Sequence, residues 1–211
     1  MLAGFYLGAK DYARTRIEYA KVIQLNPGVT KWVQETEYRM AFVNMVEGME
    51  KNDSALLGNA RIGLESYVRD HPTHRSVPKA LMNIADLALR AGQYDQVLAS
   101  YNRIIGFDTT LIDSGRYAGH TDEMKGHREL VGRVHTMKAR LLRMQMHNPE
   151  AALAEYELLL TIHPHLADAL LNKALCLVAL NRKSEARPIL EQLVSEGTGV
   201  KEVASRILST L

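Results

Sequence analysis

The sequence predicts an all-α chain, an α-solenoid of antiparallel helix pairs, and three observations predict it. A short apolar motif recurs five times, three of its copies stop at a proline, and the stretches between copies carry a helical apolar stripe of their own. Recurrence at intervals of a few tens of residues is the mark of a chain built from stacked helical hairpins.

The motif copies are DYARTRIEYAKVIQLNP (11–27), LGNARIGLESYVRDHP (57–72), QYDQVLASYNRIIGFD (93–108), NPEAALAEYELLLTIHP (148–164) and RKSEARPILEQLVSEG (182–197). Each holds a small or β-branched residue, a larger apolar or aromatic residue four later, and another apolar residue three after that. In order these are Thr15/Tyr19/Val22, Ala60/Leu64/Tyr67, Val97/Tyr101/Ile104, Ala152/Tyr156/Leu159 and Ala186/Leu190/Leu193. Steps of four and three keep all three side chains on one helical face. Pro27, Pro72 and Pro164 end three of these helices, since proline has no N–H to donate and a fixed φ. Complementary helices precede the copies, most clearly in 77–95 and 167–186. Leu81, Ile84, Ala85 and Ala88 form the stripe of the first, and Leu170, Ala174 and Leu177 that of the second. Gly92 supplies the helix-ending glycine, with Asn181 in its place in the second pair. Helices at roughly 30–50 and 120–146 follow a weaker pattern. KEVASRILSTL (201–211), after Gly197 and Gly199, reads as a lone capping helix.

This pattern resembles the tetratricopeptide repeat, a helix–turn–helix unit of 34 residues. The resemblance is strong over 77–109 and 148–197, good over 2–27 and weak elsewhere. It implies one repeat domain over 1–211, wound as a right-handed superhelix. Its repeats fall near 1–27, 28–72, 73–109, 120–164 and 165–198, with an insertion at 109–120 and a capping helix at 200–211. The small anchors at 15, 60, 97, 152 and 186 are spaced by 45, 37, 55 and 34, and only the last spacing matches the family period. The others imply insertions of 11, 3 and 21 residues. Aligning Asp11 and Tyr12 with Gln93 and Tyr94 places Leu2, Ala3 and Tyr6 on a first helix without its upper turn. A fragment of a longer repeat protein is expected on that ground, a stub helix being the alternative. Leu2, Phe5, Tyr6 and Leu7 then form an exposed seam, and Leu2, Phe5 and Tyr6 an interface for possible self-association.

The resemblance further implies a concave wall lined by the first helix of each pair. Two residues before each small first-helix position stand Asn83, Lys138 and Asn172; five after it stand Arg90, Gln145 and Ala179. Lys79 and Asp168 lie one turn earlier, with Met82, Asp86, Leu141, Met144 and Leu175 between. The expected groove is Lys79, Asn83, Arg90, Lys138, Leu141, Gln145 and Asn172. Its amide and cationic donors suit a peptide carboxylate or an acidic segment of a protein partner. Some family members clamp a C-terminal carboxylate with a fixed order of residues that this chain does not reproduce. The competing reading makes these ordinary solvated helix residues, and Leu141, Met82 and Met144 core. The segment 109–132, with Gly115, Gly119, Gly126 and Gly132 lowering its helix propensity, reads either as a partner loop or as a connector.

The resemblance, with no catalytic constellation beside it, implies a non-enzymatic scaffold. Charged residues make up 24% and hydrophobic residues 46%, and the net charge is +2 with both signs interleaved, which argues against a nucleic-acid or anionic-membrane binder. No apolar run reaches the roughly 18 residues that span a bilayer. Cys176 is the single cysteine, so neither an intrachain disulfide nor a cysteine-based zinc site is available. His120, His127 and His135, with Glu123, are the one histidine set that raises a metal; no metal-binding pattern accompanies them, and the expectation is no metal and no cofactor. His71, His74, His163 and His165 flank prolines and are expected in turns. No catalytic residue is assigned. Trp32 reads either as an exposed anchor or as a packing residue. The compartment stays open between cytoplasm and bacterial periplasm.

Overall fold

In the computed structural model, residues 2–27, 30–107 and 121–211 are described. They form helices α1 (Leu2–Gly8), α2 (Tyr12–Leu25), α3 (Thr30–Lys51), α4 (Ser54–Asp70), α5 (Val77–Arg90), α6 (Tyr94–Ile105), α7 (Thr121–Met144), α8 (Pro149–Ile162), α9 (Ala167–Ala179), α10 (Lys183–Ser195) and α11 (Lys201–Leu208). No strand occurs among the described residues. The chain divides into two compact units, Met1–His120 with α1–α6 and Thr121–Leu211 with α7–α11. The sequence reading had one repeat domain over 1–211; the division falls at the largest departure from the 34-residue period. Within each unit consecutive helices pack on one another, α1 on α2 through α5 on α6, and α7 on α8 through α10 on α11.

One turn joins the two helices of all five pairs. Lys10, Asn52, Gly92, His147 and Asn181 each have positive φ, between 51° and 68°. The N–H of the following residue then reaches back into the first helix. Asp11 donates to Tyr6, Asp53 to Gly48, Gln93 to Ala88 and Arg182 to Leu177, each to the carbonyl five residues earlier. This is the Schellman closure, which satisfies carbonyls that a helix end otherwise leaves open. Asn148 donates instead to Leu142, six residues back, so the α7–α8 turn holds one residue more. Three of the residues that follow the turn also cap the second helix. Asp11 accepts from the Arg14 N–H, Asp53 from the Ala55 and Leu56 N–H groups, and Asn148 from the Ala151 N–H.

The recurring triplets are the core. Of their fifteen side chains only Val22 is less than fully buried. Thr15 is buried with its hydroxyl satisfied by the Asp11 carbonyl. The first residue of the triplet lies five after the positive-φ residue in four pairs and eight after it in α4. That helix is 17 residues long against 12–14 for its counterparts, so Ala60 sits one turn further along. Between α3 and α4, glycine does what alanine does elsewhere. A Cβ on Gly63 would stand 2.9 Å from the Ala41 Cβ, and one on Gly48 would stand 3.0 Å from the Leu57 backbone N.

Two expectations are corrected. The segment 109–132 is helical from Thr121 onward, and Gly126 and Gly132 lie inside α7; residues 109–120 lie outside the described residues. At Gly132 a Cβ would meet the His163 ring at 3.4 Å, close to ordinary van der Waals contact. Leu7 is not part of an open seam but packs, with Met40 and Val46, against the core of Ala3, Tyr12, Tyr19 and Val43. Leu2 and Phe5 are exposed, and Tyr6 is half-buried beneath the Arg14 guanidinium, 5.6 Å from its ring centre. Trp32, in the first turn of α3, is about half exposed.

Candidate interaction surfaces

In the first unit, α5 turns one face outward with Lys79 and Arg90 exposed and Asn83 and Asp86 partly buried between them. Eleven residues separate Lys79 from Arg90, three helical turns to within about 20°, so both project from one stripe roughly 16 Å apart. The cations of this unit fall into two groups. Lys10, Arg14, Arg16, Lys21, Arg39, Lys51, Arg61 and Arg69 all pair with carboxylates within α1–α4 and their turns. Arg75, Lys79, Arg90 and Arg103 are exposed and have no carboxylate within ion-pair distance among the described residues. Burial pushes the carboxyl of Asp86, the one acidic group on the stripe, above its ordinary range.

Asn83 donates to the Tyr38 hydroxyl at 3.3 Å, which ties α5 to α3. Tyr38 leans on Phe42 and Tyr67, and Tyr67 in turn on the rings of His71 and His74. His71 accepts from the Gln34 amide at Nδ1 (3.2 Å) and donates from Nε2 to Glu37 (2.6 Å), which fixes its tautomer. The Tyr67 hydroxyl bonds His74 Nδ1, and Ser76 donates to Glu35 at 2.8 Å. His71 and Ser76 thus brace the α4–α5 turn against α3, while His74 ties it back to Tyr67 on α4. Below that turn, Pro72, Thr73, Val77, Leu81, Gly106 and Phe107 line a half-open cavity of about 340 Å³ with Arg103.

In the second unit a carboxylate is buried between α7 and α8. Glu155, 11% exposed in its side chain, accepts from His135 Nδ1 at 2.7 Å and from Lys138 Nζ at 2.5 Å. Burial alone would push its carboxyl up; the two hydrogen bonds and the Lys138 charge outweigh that and hold it below the usual carboxylate range. Nearer the end of α7, Arg143 donates to the Asn172 side chain at 3.1 Å, and Asn172 donates to the Asp168 carbonyl at 2.7 Å. Arg143 Nε and the hydroxyl of the fully buried Tyr156 have no hydrogen-bond partner among the described residues. Cys176 is buried close by; its burial pushes the thiol up, offset in part by the Arg143 charge. Among the described residues no three His, Cys, Asp or Glu side chains converge on a point. His120 and the Glu123 side chain lie outside them, and His135 is engaged by Glu155.

Residues 143–205 match the tetratricopeptide repeat family. Over that stretch the chain carries a tetratricopeptide repeat. No curated protein matches the sequence. Two crystal structures of MamA superimpose with TM-scores of 0.56 and 0.57 at 13% identity, over 92% and 93% of this chain and 86% and 95% of those chains. At that identity the likeness speaks for the repeat fold alone. A tetratricopeptide repeat protein from Parabacteroides merdae, at 14% identity over 98% of this chain and 94% of its own, reaches only 0.38, too low to carry weight.

Set on the repeat, the expected groove residues part company. Lys79, Asn83 and Arg90 share the outer stripe of α5, and Asn172 lies on α9 against Arg143. Lys138 and Leu141 do not face outward: Lys138 serves Glu155, and Leu141 is buried. Gln145 is exposed beyond the end of α7. All three were counted on the premise that the small position of α7 is residue 140. The extra residue in the α7–α8 turn moves it to Ala139, which is fully buried while Arg140 is exposed. The positions equivalent to Asn83 and Arg90 are then Met137 and Met144, partly buried and exposed. Sequence reasoning also passed over Arg143. A sign lay in the spacing: Ala139 recurs four residues before it, as Ala85 does before Leu89.

Proposed function

We propose that the chain is a non-enzymatic protein-interaction scaffold and that its first helices receive an acidic segment of a protein partner. The observation that carries this reading is the partition of cations in the first unit. Among the described side chains, the cations on α1–α4 and their turns are neutralised within the fold, whereas Lys79 and Arg90 stand unpaired along one stripe of α5. A gap of about 16 Å lies between the roughly 13 and 20 Å that separate carboxylates four and six residues apart on one face of an extended strand. Arg143, held by Asn172, supplies a guanidinium of the same kind in the second unit, with Met144 offering adaptable apolar contact.

Selection from a displayed library of random dodecapeptides tests this. Enrichment of Asp/Glu pairs four to six residues apart is expected, with binding that weakens as salt rises. The Lys79→Glu/Arg90→Glu protein, checked for an unchanged helical spectrum, should bind the selected peptides at least tenfold more weakly. Selected peptides without acidic residues, or equal binding to the charge-reversed protein, would sink the proposal.

A further inference from the structure

The outer stripe of α7 carries a pattern that the stripe of α5 does not. With Ala139 of α7 matched to Ala85 of α5, the stripe of Lys79, Asn83, Asp86 and Arg90 corresponds to Arg133, Met137, Arg140 and Met144. Guanidinium groups and thioethers alternate along it. Arg133, Arg140 and Met144 are exposed and Met137 is half-buried. Neither Arg133 nor Arg140 has a carboxylate within ion-pair distance among the described residues. The sequence from Leu130 to Asn148 holds no Asp or Glu at all.

The spacing bears on the shape of what this stripe would meet. Steps of four, three and four residues keep the four side chains within about 60° of one another, along a seam of roughly 16 Å. Alternating steps of three and four are those by which one helix offers a seam to another laid along it. A helix with acidic and apolar residues at the same steps keeps pace with all four positions. An extended strand, whose same-face residues recur about every 6.6 Å, overruns the seam by about 3 Å. Helix α9 runs beside the seam, as the Arg143–Asn172 bond shows, and adds the half-buried Leu175 as a second apolar contact. The seam is therefore cationic and apolar in turn, with methionines that adapt to the side chains they meet.

We infer that the second unit takes up its partner as an α-helix, with carboxylates seven residues apart against Arg133 and Arg140 and apolar side chains one turn from each against Met137 and Met144. This rests on the reading of the chain as a scaffold for an acidic segment and names the conformation that this unit selects.

The probe is a three-heptad peptide with Glu at every seventh position, Leu four residues after each, and Ala and Gln elsewhere. It is made in both sequence directions, since a helix can lie along α7 either way. Binding to the full chain is followed by NMR at the Met137 and Met144 methyl groups, and helix formation by circular dichroism. Saturable shifts at both methyls are expected from at least one direction, with a Kd of about 100 μM or tighter and a gain in helical signal on mixing. Changing Glu to Gln in the peptide, or its central residue to Pro, should weaken binding at least tenfold. Arg133→Glu/Arg140→Glu, both at exposed positions, should do the same without altering the melting curve. Lys183→Glu/Lys201→Glu, the same change of net charge at exposed positions in the same unit, should leave binding within twofold. No saturable shift from either direction up to about 1 mM would overturn the inference. Equal binding of the proline peptide would overturn it in favour of an extended segment, and an equal loss in the two charge-reversed proteins in favour of unspecific attraction. The dodecapeptide selection reads the Lys79/Arg90 stripe and this titration the Arg133/Arg140 seam. Dodecapeptides held at α5 with no helix held at α7 would sink this inference alone; failure of both would sink the scaffold reading with it.

Discussion

Replacing Glu155 with glutamine is the sharpest probe of the second unit, because it removes one charge and almost no volume. The wild-type carboxylate is 11% exposed and neutralises Lys138, itself 16% exposed, while accepting from His135. Removing one member of a buried ion pair typically costs about 3–5 kcal/mol, since the remaining charge stays desolvated. Lys138 keeps some access to water and the glutamine carbonyl can still accept from it, which places the loss near the lower limit, about 3 kcal/mol. For a chain of this length that corresponds to a drop in Tm of roughly 6–12 °C, measured by circular dichroism and checked by urea titration. The exposed Arg182–Glu185 pair is the control, and Glu185→Gln should change nothing measurable. The pH dependence follows from the depressed native pKa of Glu155. Its stabilisation is fully present above the unfolded value of about 4.3 and is lost as pH falls through the lower native value. Wild type and Glu155→Gln should therefore converge as the pH falls through that lower native value. A loss under about 1 kcal/mol at pH 7, the range of a surface pair, would refute the claim that this carboxylate is buried and shared.

Further outcomes follow from packing and backbone. Gly63→Ala should destabilise by about 1–3 kcal/mol despite its better helix propensity, because the new Cβ meets the Ala41 Cβ rather than a flexible side-chain end; Gly58→Ala on the same helix, where nothing lies within 4 Å, should stabilise by about 0.5–1 kcal/mol. Urea titrations of the two variants must move in opposite directions. Gly92→Ala should cost about 1 kcal/mol, since its φ is +68°, and an unchanged midpoint would contradict the turn described. Cys176 should resist a thiol reagent in the native protein near pH 8 and react fully in denaturant; rapid reaction in native buffer would show that the α9 core is open.

What could be read from the sequence depended on how tightly each feature is tied to burial. The triplets were legible because a core position tolerates few residue types. Thr15, Ala60, Val97, Ala152 and Ala186 therefore mark the second helices even where the period drifts from 37 to 55. Gly92 and Asn181 were legible as helix ends, whereas Lys10 and His147, which adopt the same positive φ, were not, because their residue types do not advertise it. The fold of 30–51 was dim for a related reason: Gly48 and Gly63 provide its close contact, and glycine in a helix reads as a weakness rather than as a socket. The site was less legible than the fold. A count along the helix placed Asn83, Lys79 and Arg90 on one outer stripe, and a single extra turn residue rotated the same count in α7 by about 100°. That error sent Lys138 and Leu141 outward on paper when the chain uses them inward. Glu155 looks like any surface glutamate until its two partners are seen, since long-range pairing leaves no local trace.

The shared positive-φ turn has a consequence for how such a chain changes length. In every pair the joint between the helices is held to within one residue, while α3 and α7, at 22 and 24 residues, run well past the 13 or 14 of α5 and α9. In α3 and α7 the added residues lie at the end away from the joint, like the prongs of a tuning fork cut to different lengths on one stem, whereas in α4 the added turn lies between the joint and Ala60. A lineage of such chains can lengthen a prong by whole turns without disturbing neighbouring contacts. A single residue added at the stem instead re-aims every side chain on the prong it feeds, as the α7–α8 turn does to Lys138.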